Sequence, residues 1–544
     1  MNHDLVQRAL TGPGFEAVRR RVIHQLVESL LYEGVLSVEA ARAAGYAITA
    51  RRRATFDRIT VDAVTRDGAE PESVTRFLTD VAGALDADPA CLTRFARELE
   101  ETVLKDALAQ HVRRGALAGL DFDTLEGAIT DGHRYHPAYK SRIGFDIDDN
   151  LAYGPEFARP VRPLWLAAHH SITEVTGAGE QALTPLTPPP GYTAIPVHPW
   201  QWTNHVARAF ATQLRTGELV VLGEDPHTFT AQQSIRTLSC VDDPARPYLK
   251  LAMSLVNTST SRVLAPHTVH NAPLISGWLK GIADKDPFLR DELRTVLLGE
   301  VRGTVVTPPP DLLGQDTYGA LACIWRESLP PRLEDGERAV PFTGLTAREP
   351  DGTPLIDPWV STHGLNRWVR RLVTAAVVPV VHLLCAHGIA LEAHAQNMVL
   401  LHRQGLPTRV ALRDFHDGVR FSRSRLAEPE LCPPLRGTPP QHQNRNSFVE
   451  TDDPGLVADF MLDAHLFVNV GELAIFLADA YGLAERDFWD LVRGGVESYL
   501  DRFPNPRFDV RKPAVAVEKL TTRRLLPDTE LRLHDAPNPL ARHA

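Results

Sequence analysis

The chain has 544 residues, of which 43% are hydrophobic and 23% are charged, and its formal net charge is −10. This length predicts two or three lobes, and the composition is typical of a soluble globular protein. The negative charge and the lack of a long Lys/Arg block argue against a nucleic-acid partner, which needs clustered positive charge. We therefore expect any anion to be bound in a local cationic pocket.

The cysteines and the first residues bear on the compartment. Five scattered cysteines with no CxxC pair support neither a disulfide framework nor a zinc ribbon, and they fit a reducing environment. The start, MNHDLVQRAL, carries an acidic residue and no apolar stretch, so no export signal is visible. We expect a cytoplasmic protein.

The hydrophobic pattern changes along the chain. Residues 1 to about 125 have apolar residues at three- and four-residue spacing, as in ARELEETVLKDALAQHVRR, which predicts a mostly helical N-terminal region. Between 190 and 280 the apolar runs are short and β-branched or alternating, which predicts strands mixed with helices. After 455 the pattern again predicts helices. Three Pro-rich stretches, which predict connectors because consecutive prolines cannot continue a helix or join a central strand, lie at 183–192, 306–313 and 428–441.

One apolar run, LVTAAVVPVVHLLCAHGIAL at 372–391, reaches the roughly 20 residues that cross a bilayer. Pro379, His382 and His387 interrupt it, and a polar segment follows directly. We predict a buried helix that places the next residues on a rigid base, and no membrane span.

A cationic cluster lies between residues 232 and 262. Strand alternation places Lys250 on the face away from the large apolar residues, with small neighbours beside it. By the same rule Ser234 and Arg236 share a face, and Arg262 follows the end of the strand. Mixed arginine, lysine and hydroxyl groups bind polyphosphates and carboxylates. A solvated edge hairpin with ordinary surface charge explains these residues about equally well.

A hairpin is predicted from MVLL (398–401) and TRVAL (408–412), joined by a turn at RQGLP. Its entry carries Glu392, His394, Gln396 and Asn397, and its exit carries Asp414, His416 and Asp417. An asparagine before such a hairpin and an aspartate after it hold the Mg²⁺ ions in kinase-like folds. Capping and turn chemistry is the alternative, but it leaves Glu392 and His394 unexplained.

The segment DGHRYHPAYKSRIGF (131–145) concentrates two histidines and two cations in a loop. Two histidines three residues apart suggest a metal, but no further ligand follows at zinc spacing, which favours phosphate contact. His198 and Trp200, in VHPWQW, are predicted to form a packed corner.

Six motifs resemble, in this order, those of the NRPS-independent siderophore (NIS) synthetases, the IucA/IucC-like family. They are GHxxHPxxKxRxGF (132–145), HPWQ (198–201), SxRT (234–237), K(x)7TSxxR (250–262), EAHxQN (392–397) and RDFHDG (413–418). The resemblance covers about 130 to 420. Arg134 departs from the pattern, because the family more often has proline before the second histidine.

The resemblance implies an α+β fold shaped as a multi-lobed cupped hand, with mixed helices and antiparallel sheets. The implied lobes are a mostly helical thumb at 1–150, fingers with phosphate- and carboxylate-binding strands at 151–350, and a palm with the nucleotide and metal hairpin and C-terminal helices at 351–544. A homodimer is expected.

The resemblance also implies a ligase that uses ATP and Mg²⁺ to adenylate a carboxylate of citrate or of a citrate or dicarboxylate derivative. It then joins the acid to an amine, hydroxylamine or alcohol, as an amide or ester, and releases AMP and pyrophosphate. The implied catalytic residues are Lys250, Arg262, His394 and Glu392. Implied ATP contacts are Ser234, Arg236, Thr237, Lys250, His136, Lys140, Arg142, Gln396, Asn397 and Asp414. Implied substrate contacts are Thr258, Ser259, Arg262, His394 and Lys519, and implied metal ligands are Glu392, Asn397 and Asp414.

Two other functions remain open at this point. A small-molecule kinase would use the same hairpin, but it would want a catalytic aspartate where Glu392 stands and a glycine-rich phosphate loop that the sequence lacks. A non-catalytic binding protein for citrate-like acids would leave the phosphate-type cluster without a role.

Overall fold

Helices predominate near both ends of the chain and strands in its middle, in a computed structural model that describes residues 3–113, 115–179, 183–258, 260–440, 442 and 447–541. The helices of six or more residues in these ranges are α1 His3–Thr11, α2 Pro13–Tyr32, α3 Val38–Ala43, α4 Val74–Val81, α5 Pro89–Val112, α6 Phe122–Ala128, α7 Ile147–Tyr153, α8 Ala211–Thr216, α9 Pro266–Lys285, α10 Asp357–His363, α11 Leu365–His387, α12 Pro454–Tyr481, α13 Glu485–Arg502 and α14 Leu520–Leu525. Shorter α-helical turns lie at Pro199–Gln201, Ala207–Ala209 and Gly314–Thr317.

The strands form several small sheets. They are β1 Tyr46–Arg52, β2 Ile59–Arg66, β3 Leu164–His169, β4 Thr173–Gly177, β5 Tyr192–Val197, β6 Leu219–Glu224, β7 Phe229–Ala231, β8 Thr237–Cys240, β9 Tyr248–Leu251, β10 Met253–Asn257, β11 Thr260–Arg262, β12 Val296–Leu298, β13 Glu300–Val306, β14 Ala322–Arg326, β15 Arg338–Pro341, β16 Ile389–Leu391, β17 Met398–Arg403, β18 Leu406–Arg413, β19 Val419–Phe421, β20 Ala514–Glu518 and β21 Leu533–Pro537.

Two of these sheets carry most of the site. The larger has six antiparallel strands in the order β4-β13-β14-β9-β8-β7, and the smaller has four in the order β12-β18-β17-β15, with β12 parallel to β18. A third sheet, β5-β3-β6, is antiparallel and lies beside the first around a shared apolar core. The predicted α+β class, with mixed helices and antiparallel sheets, is confirmed.

The N-terminal region is built from α1–α5 around an apolar core, as the helical pattern predicted. The antiparallel hairpin β1–β2 was not predicted there, although ITVDAVTR alternates apolar and polar residues as a half-buried strand does. Leu525 of α14 packs into the same core from the far end of the chain. The lobe boundaries near 150 and 350 stay a prediction.

Helix α11 confirms the buried helix predicted within 372–391, but it ends earlier. Gly388, with φ of 79°, terminates the helix in the left-handed conformation, and Ile389–Leu391 form strand β16. Helices α11 and α12 are each long and apolar enough to cross a membrane. In each of them, however, 78% of the most apolar 18-residue stretch is buried inside the protein. Such burial is typical of core helices.

The predicted hairpin is β17–β18, an antiparallel pair in which Met398 lies opposite Leu412. All six residues 398–401 and 411–412 at its base are buried, so the hairpin is anchored in the core. Its two ends therefore bring the segments around Asn397 and Asp414 to one edge of the sheet, as predicted.

Strand β13 and helix α9 approach so closely that a methyl group at Gly303 has no room. A Cβ there would lie 2.2 Å from the carbonyl oxygen of Val269, which is helix backbone. We expect Gly303→Ala to lower the free energy of unfolding by about 1–3 kcal/mol, because the helix must shift. Urea denaturation measures this change.

Gly277 provides the matched control, since it is exposed on the same helix and a Cβ there meets nothing within 4 Å. Gly277→Ala is expected to raise the free energy of unfolding by about 0.5–1 kcal/mol, the helix-propensity gain. Equal denaturation midpoints for the two variants would contradict the close approach.

Candidate functional site

A cavity of about 1700 Å³ lies between loop 131–143, strands β9–β11 and the base of hairpin β17–β18. Most residues that the sequence indicated line it. They are His136, Lys140, Arg142, Ser234, Arg236, Lys250, Thr258, Arg262, Glu392, His394, Gln396, Asn397 and Asp414. Thr237 and Lys519 lie outside the lining, and Ser259 lies outside the described residues.

One side of the cavity, the cationic wall, is formed around Lys250 and Arg236, and Asp414 lies at its centre. Lys250 Nζ lies 3.1 Å from its Oδ2 and Arg326 Nη1 lies 2.6 Å from its Oδ1. Burial disfavours the carboxylate, but Lys250 and Arg326 outweigh it and hold the pKa of Asp414 well below its ordinary value. Burial in turn lowers the pKa of Lys250 to about 8, although Asp414 acts in the opposite direction.

The backbone explains why these three groups meet. Lys250 lies in β9 between Thr237 of β8 and Ile324 of β14, and Arg326 is the last residue of β14. Asp414 follows β18 directly, and its φ of 66° is a left-handed conformation that is strained for a residue other than glycine. Strain of this kind is common at functional sites.

Arg236 presents a guanidinium group that has no carboxylate partner. Its Nη1 donates to the carbonyl oxygens of Arg262 at 2.8 Å and Val263 at 3.0 Å, and it forms no ion pair with the residues that the structure describes. Burial lowers its pKa. A buried cation of this kind calls for an anionic ligand.

Ser234 and Arg236 were predicted to share one face of a strand, and the structure places them differently. Strand β8 begins at Thr237, and Ile235 has a left-handed φ of 59°. The two side chains reach the cavity from a turn, in which Ser234 Oγ donates to Thr237 Oγ1 at 2.6 Å. Thr237 is buried and supports the turn rather than facing the cavity.

Arg262 follows the end of strand β10, as predicted, but it lies within a further strand, β11, that was not predicted. The chain turns at Thr258, whose φ is 63°, so that β11 returns along β10. Arg262 Nη2 donates to Thr258 Oγ1 at 3.0 Å and to the Asn257 carbonyl oxygen at 2.9 Å. Burial lowers its pKa to about 10, and its Nε has no partner among the described residues.

The loop 131–145 contributes histidines to the cavity and anchors itself with its cations. The rings of His133 and His136 lie 4.6 Å apart. Lys140 Nζ and Arg142 Nη2 both lie 2.7 Å from Glu156 Oε1. Contact of Lys140 and Arg142 with phosphate stays a prediction, since the structure shows both cations neutralised by an internal acid.

The entry to the hairpin supplies a neutral imidazole and a weakly acidic carboxyl group. Burial lowers the pKa of His394 to about 3, and its Nδ1 has no partner among the described residues. Burial raises the pKa of Glu392 to about 7. Asn397 Nδ2 donates to the Glu392 carbonyl oxygen at 2.9 Å, and the Gln396 carbonyl oxygen accepts from Arg413 at 2.8 Å.

Lys519 points away from the substrate side. Its Nζ donates to the carbonyl oxygen of Glu33 at 3.2 Å, while its neighbours Glu518 and Leu520 line the cavity. A substrate contact of Lys519 stays a prediction.

A possible cation site overlaps the predicted one in a single residue. Glu300, Asp414 and His416 place ligand atoms within 4.8 Å of one another, whereas Glu392 and Asn397 are not part of this group. Glu300 Oε2 is buried without a partner in the described ranges, which leaves it available as a ligand. Carboxylate oxygens are the donors that Mg²⁺ prefers, so Glu300 and Asp414 fit that ion, whereas the His416 imidazole is a nitrogen donor at the edge of the group.

Glu300 and Arg326 are site residues that the sequence reasoning missed. They lie opposite each other where β13 begins and β14 ends. The signal was a charged residue at the end of an otherwise apolar strand, but only the tertiary structure shows that Arg326 binds Asp414 and that Glu300 binds His416 beside the cavity.

The far side of the cavity is acidic. Asp463 and Glu392 line it, and neither carboxylate forms an ion pair with a residue that the structure describes. Burial raises the pKa of Asp463 to about 8; the hydrogen bond from the Glu518 backbone N–H opposes this rise, and the charge of the Glu518 carboxylate adds to it. Asp463 Oδ2 accepts one hydrogen bond, from the Glu518 backbone N–H at 3.2 Å. This side suits a positively charged group.

Comparison with known proteins identifies the family of the chain. The model of the IucA / IucC family matches residues 121–347, and that of the ferric iron reductase FhuF-like transporter matches residues 366–537. The citryl-spermidine/3,4-dihydroxybenzoyl-citryl-spermidine:spermidine ligase of Bacillus anthracis is 40% identical over 100% of this chain and 96% of that protein.

The chain belongs to the IucA/IucC family of NIS synthetases. A second relative is 39% identical to this synthetase over 96% of this chain and 92% of that protein. It is the 2-[(L-alanin-3-ylcarbamoyl)methyl]-3-(2-aminoethylcarbamoyl)-2-hydroxypropanoate synthase of Staphylococcus aureus. The crystal structure of the petrobactin biosynthesis protein AsbB from Bacillus anthracis covers 99% of this NIS synthetase and 98% of that chain, with a TM-score of 0.91 and 38% identity.

The raised pKa of Glu392 has a measurable effect on the stability of the NIS synthetase. As the pH rises from about 4.5 to about 7, the unfolded state loses this proton while the folded state keeps it, so the wild type loses stability. Glu392→Gln lacks this titration. We expect its free energy of unfolding, relative to wild type, to rise by about 2 kcal/mol across this window.

Chemical denaturation at several pH values measures the difference. Glu430→Gln removes a carboxylate from an exposed connector and controls for the loss of one charge. Parallel pH profiles for wild type and Glu392→Gln would show that the Glu392 carboxyl group titrates alike in both states.

Proposed function

We propose that this NIS synthetase is an ATP-dependent, AMP-forming ligase that joins a carboxylate of citrate or a citrate derivative to an amine. The observation that carries this proposal is the charge of the cavity. Two arginines, Arg236 and Arg262, line it and form no ion pair with the described residues. Two acids, Glu392 and Asp463, also line it and form no ion pair with the described residues. Such a cavity has places for anions and for a cation together.

The phosphates of ATP, as a co-substrate, are assigned to Arg236, Lys250 and Ser234. These groups form one wall, in which Lys250 supplies a point charge and Arg236 a planar donor pair. The hydroxyl of Ser234 lies beside them and becomes a neutral donor to a phosphate when it turns away from Thr237 Oγ1. Asp414 holds Lys250 in place without cancelling the unpaired charge of Arg236.

The carboxylate of the acid is assigned to Arg262 and Thr258. Thr258 Oγ1 fixes Nη2 of the guanidinium, while Nε remains free of partners in the described ranges. A guanidinium group that is held on one side and free on the other suits a carboxylate. Arg236 donates to the carbonyl oxygen of Arg262, which places the two arginines side by side.

The amine is assigned to the acidic side, near Glu392 and Asp463. The Bacillus anthracis relative is named as a spermidine ligase, and we propose a cationic amine of that class here. Glu392, with a pKa of about 7, is suited to accept the proton that the amine loses, because a base works best when its pKa is near the working pH. His394, with a pKa of about 3, is neutral and suits hydrogen bonding.

Mg²⁺ is assigned to Glu300, Asp414 and His416. When bound, such an ion neutralises phosphate charge and acts as a Lewis acid. The protein residues supply the rest of the electrostatic stabilisation.

The chemical obstacle is the approach of two anions, since a carboxylate oxygen must reach the α-phosphorus. Arg236, Lys250 and Arg262 are already oriented and largely shielded from water, so they lower the repulsion without reorganising. Preorganised charges of this kind are worth several kcal/mol of barrier each. Pyrophosphate leaves, and attack by the amine nitrogen on the activated carbonyl carbon releases AMP while Glu392 takes the proton.

The reaction products separate this proposal from a kinase. We expect AMP and pyrophosphate in equal amounts, and only when a citrate-type acid and an amine are both supplied. Lys250→Ala is expected to lower kcat by about 100- to 1000-fold, because one preorganised donor is lost. Coupled pyrophosphate and ADP assays measure both results, and ADP without pyrophosphate would contradict the ligase and support the kinase.

Two variants test the placement of the substrates. Arg262→Lys keeps the charge but loses the planar donors, so the KM for the acid is expected to rise about tenfold. Asp463→Asn removes a carboxyl group that gives up its proton when a cationic amine binds beside it, so the KM for the amine is expected to rise about tenfold. Steady-state kinetics with each substrate varied in turn measures these changes.

Each variant is the control for the other, because each is expected to leave the KM of ATP within about twofold of wild type. An equal rise for ATP and the acid in Arg262→Lys would assign Arg262 to the phosphates. No change for the amine in Asp463→Asn would remove Asp463 from the amine site.

A further inference from the structure

A second group of metal-ligating side chains lies outside the cavity, at the end of helix α11. Asp286, His382 and His387 place one ligand atom each within 4.8 Å of one another, and none of the three lines the cavity. We propose that this group, the α11 cluster, is a binding site for a divalent first-row transition metal such as Zn²⁺. The ligands are Asp286 Oδ2, His382 Nε2 and His387 Nε2.

The position of Asp286 is fixed by its own backbone contacts. Asp286 follows α9, and its Oδ1 accepts from the backbone N–H groups of Phe288 at 2.8 Å and Leu289 at 3.3 Å. This capping role leaves Oδ2 for the histidines. His382 Nε2 lies 2.8 Å and His387 Nε2 lies 2.7 Å from it.

A π-helical turn brings the two histidines to one face. Residues Leu383–His387 form such a turn, so that positions five apart in sequence come into line. In a regular α-helix, residues five apart point in directions about 140° apart, since each residue turns about 100°. The wider turn therefore produces the pair, and π-helical turns are frequent at functional sites.

A third side chain orients one ligand through its other nitrogen. Tyr499 Oη lies 3.1 Å from His382 Nδ1. When Nε2 binds a metal, the imidazole proton stands on Nδ1, and the Tyr499 hydroxyl oxygen can accept it. Partners of this kind fix the tautomer of metal-binding histidines. In the metal-free cluster His382 Nε2 donates its proton to Asp286 Oδ2, so metal binding requires this proton to move to Nδ1, a change of tautomer with no net loss of a proton.

The geometry is close to that of a metal site. Ligand atoms around a tetrahedral Zn²⁺ lie about 3.3 Å apart, given bonds of about 2.0 Å. The two Nε2–Oδ2 distances must therefore open by about 0.5 Å each, a small side-chain rotation. The side chains of Asp286 and His387 are 14% and 15% exposed, so a fourth position is open to water.

The donor set selects the class of ion. Two imidazoles and one carboxylate suit Zn²⁺, Fe²⁺ and similar ions, whereas Mg²⁺ prefers oxygen ligands. The ion would join the end of α9 to the end of α11. Strand β16, Ile389–Leu391, begins just after this point and leads to Glu392. The α11 cluster is thus distinct in chemistry from the oxygen-rich group at Asp414.

Metal titration of the full-length protein tests the proposal. Protein freed of metal with a chelator is titrated with Zn²⁺ in excess Mg²⁺, and bound zinc is counted by elemental analysis. Wild type is expected to bind one equivalent more than His387→Ala. Tyr499→Phe is expected to keep the equivalent but to bind it roughly 10- to 100-fold more weakly.

His363→Ala is the matched control, since His363 also ends a helix and makes one hydrogen bond, to the Gln404 carbonyl oxygen. It is expected to keep the wild-type stoichiometry. Equal stoichiometry in wild type and His387→Ala would overturn the proposal and leave a hydrogen-bonded cluster. If His387→Ala does not fold, wild type loaded with Co²⁺ is compared with Asp286→Asn. The proposal predicts a visible absorption band in wild type that Asp286→Asn lacks. The absence of such a band in wild type would also overturn the proposal.

Discussion

Asp414 is the charge on which the cationic wall depends. Lys250 and Arg326 both bind its carboxylate; the two cations are buried, and the side chain of Asp414 is only 11% exposed. Leaving a buried charge without its partner costs several kcal/mol, so the loss of Asp414 would leave two cations that repel each other. The ion pairs also keep Lys250 at the cavity wall, where a charge can act on a substrate.

Around this centre the cavity separates charge. Arg236 and Arg262 form no ion pair with a carboxylate in the described ranges, and Glu392 and Asp463 form none with a cation there, although Arg420 and Lys250 act on Glu392 from a greater distance. Because burial makes each unpaired charge costly, the arrangement persists only if binding repays it. The proposed ligase brings two anions and one cationic amine together, and the cavity has a place for each.

The supporting structure explains how distant segments meet. Lys250 and Arg326 come from strands β9 and β14 of the six-stranded sheet, and Asp414 follows the end of β18 in the four-stranded sheet. Left-handed residues at Ile235, Thr258 and Asp414 turn the chain so that these groups face inward. Helix α11 anchors the entry to the hairpin and also presents the α11 cluster at its end. Helix α11 thus contributes to the apolar core, to the position of the hairpin at the cavity and to the proposed metal site.

The sequence by itself determined the family, the fold class, the buried helix and the hairpin β17–β18, because ordered motifs and local hydrophobic periods need no tertiary information. It also determined most of the cavity residues, since motif positions carry them. It did not determine the ends of elements, as Gly388 and the turn at Thr258 show. Local patterns cannot show where a chain reverses when the reversal depends on packing.

The tertiary structure alone decided the charge pairing. Arg326 and Glu300 become site residues only because β14 pairs with the strand that carries Lys250 and β13 pairs with β14. Lys140 and Arg142 turn to Glu156, and Lys519 turns to the Glu33 carbonyl oxygen, although all three match or resemble family motifs. Whether a cation faces a cavity or an internal acid depends on contacts between residues far apart in sequence, and no local spacing records them.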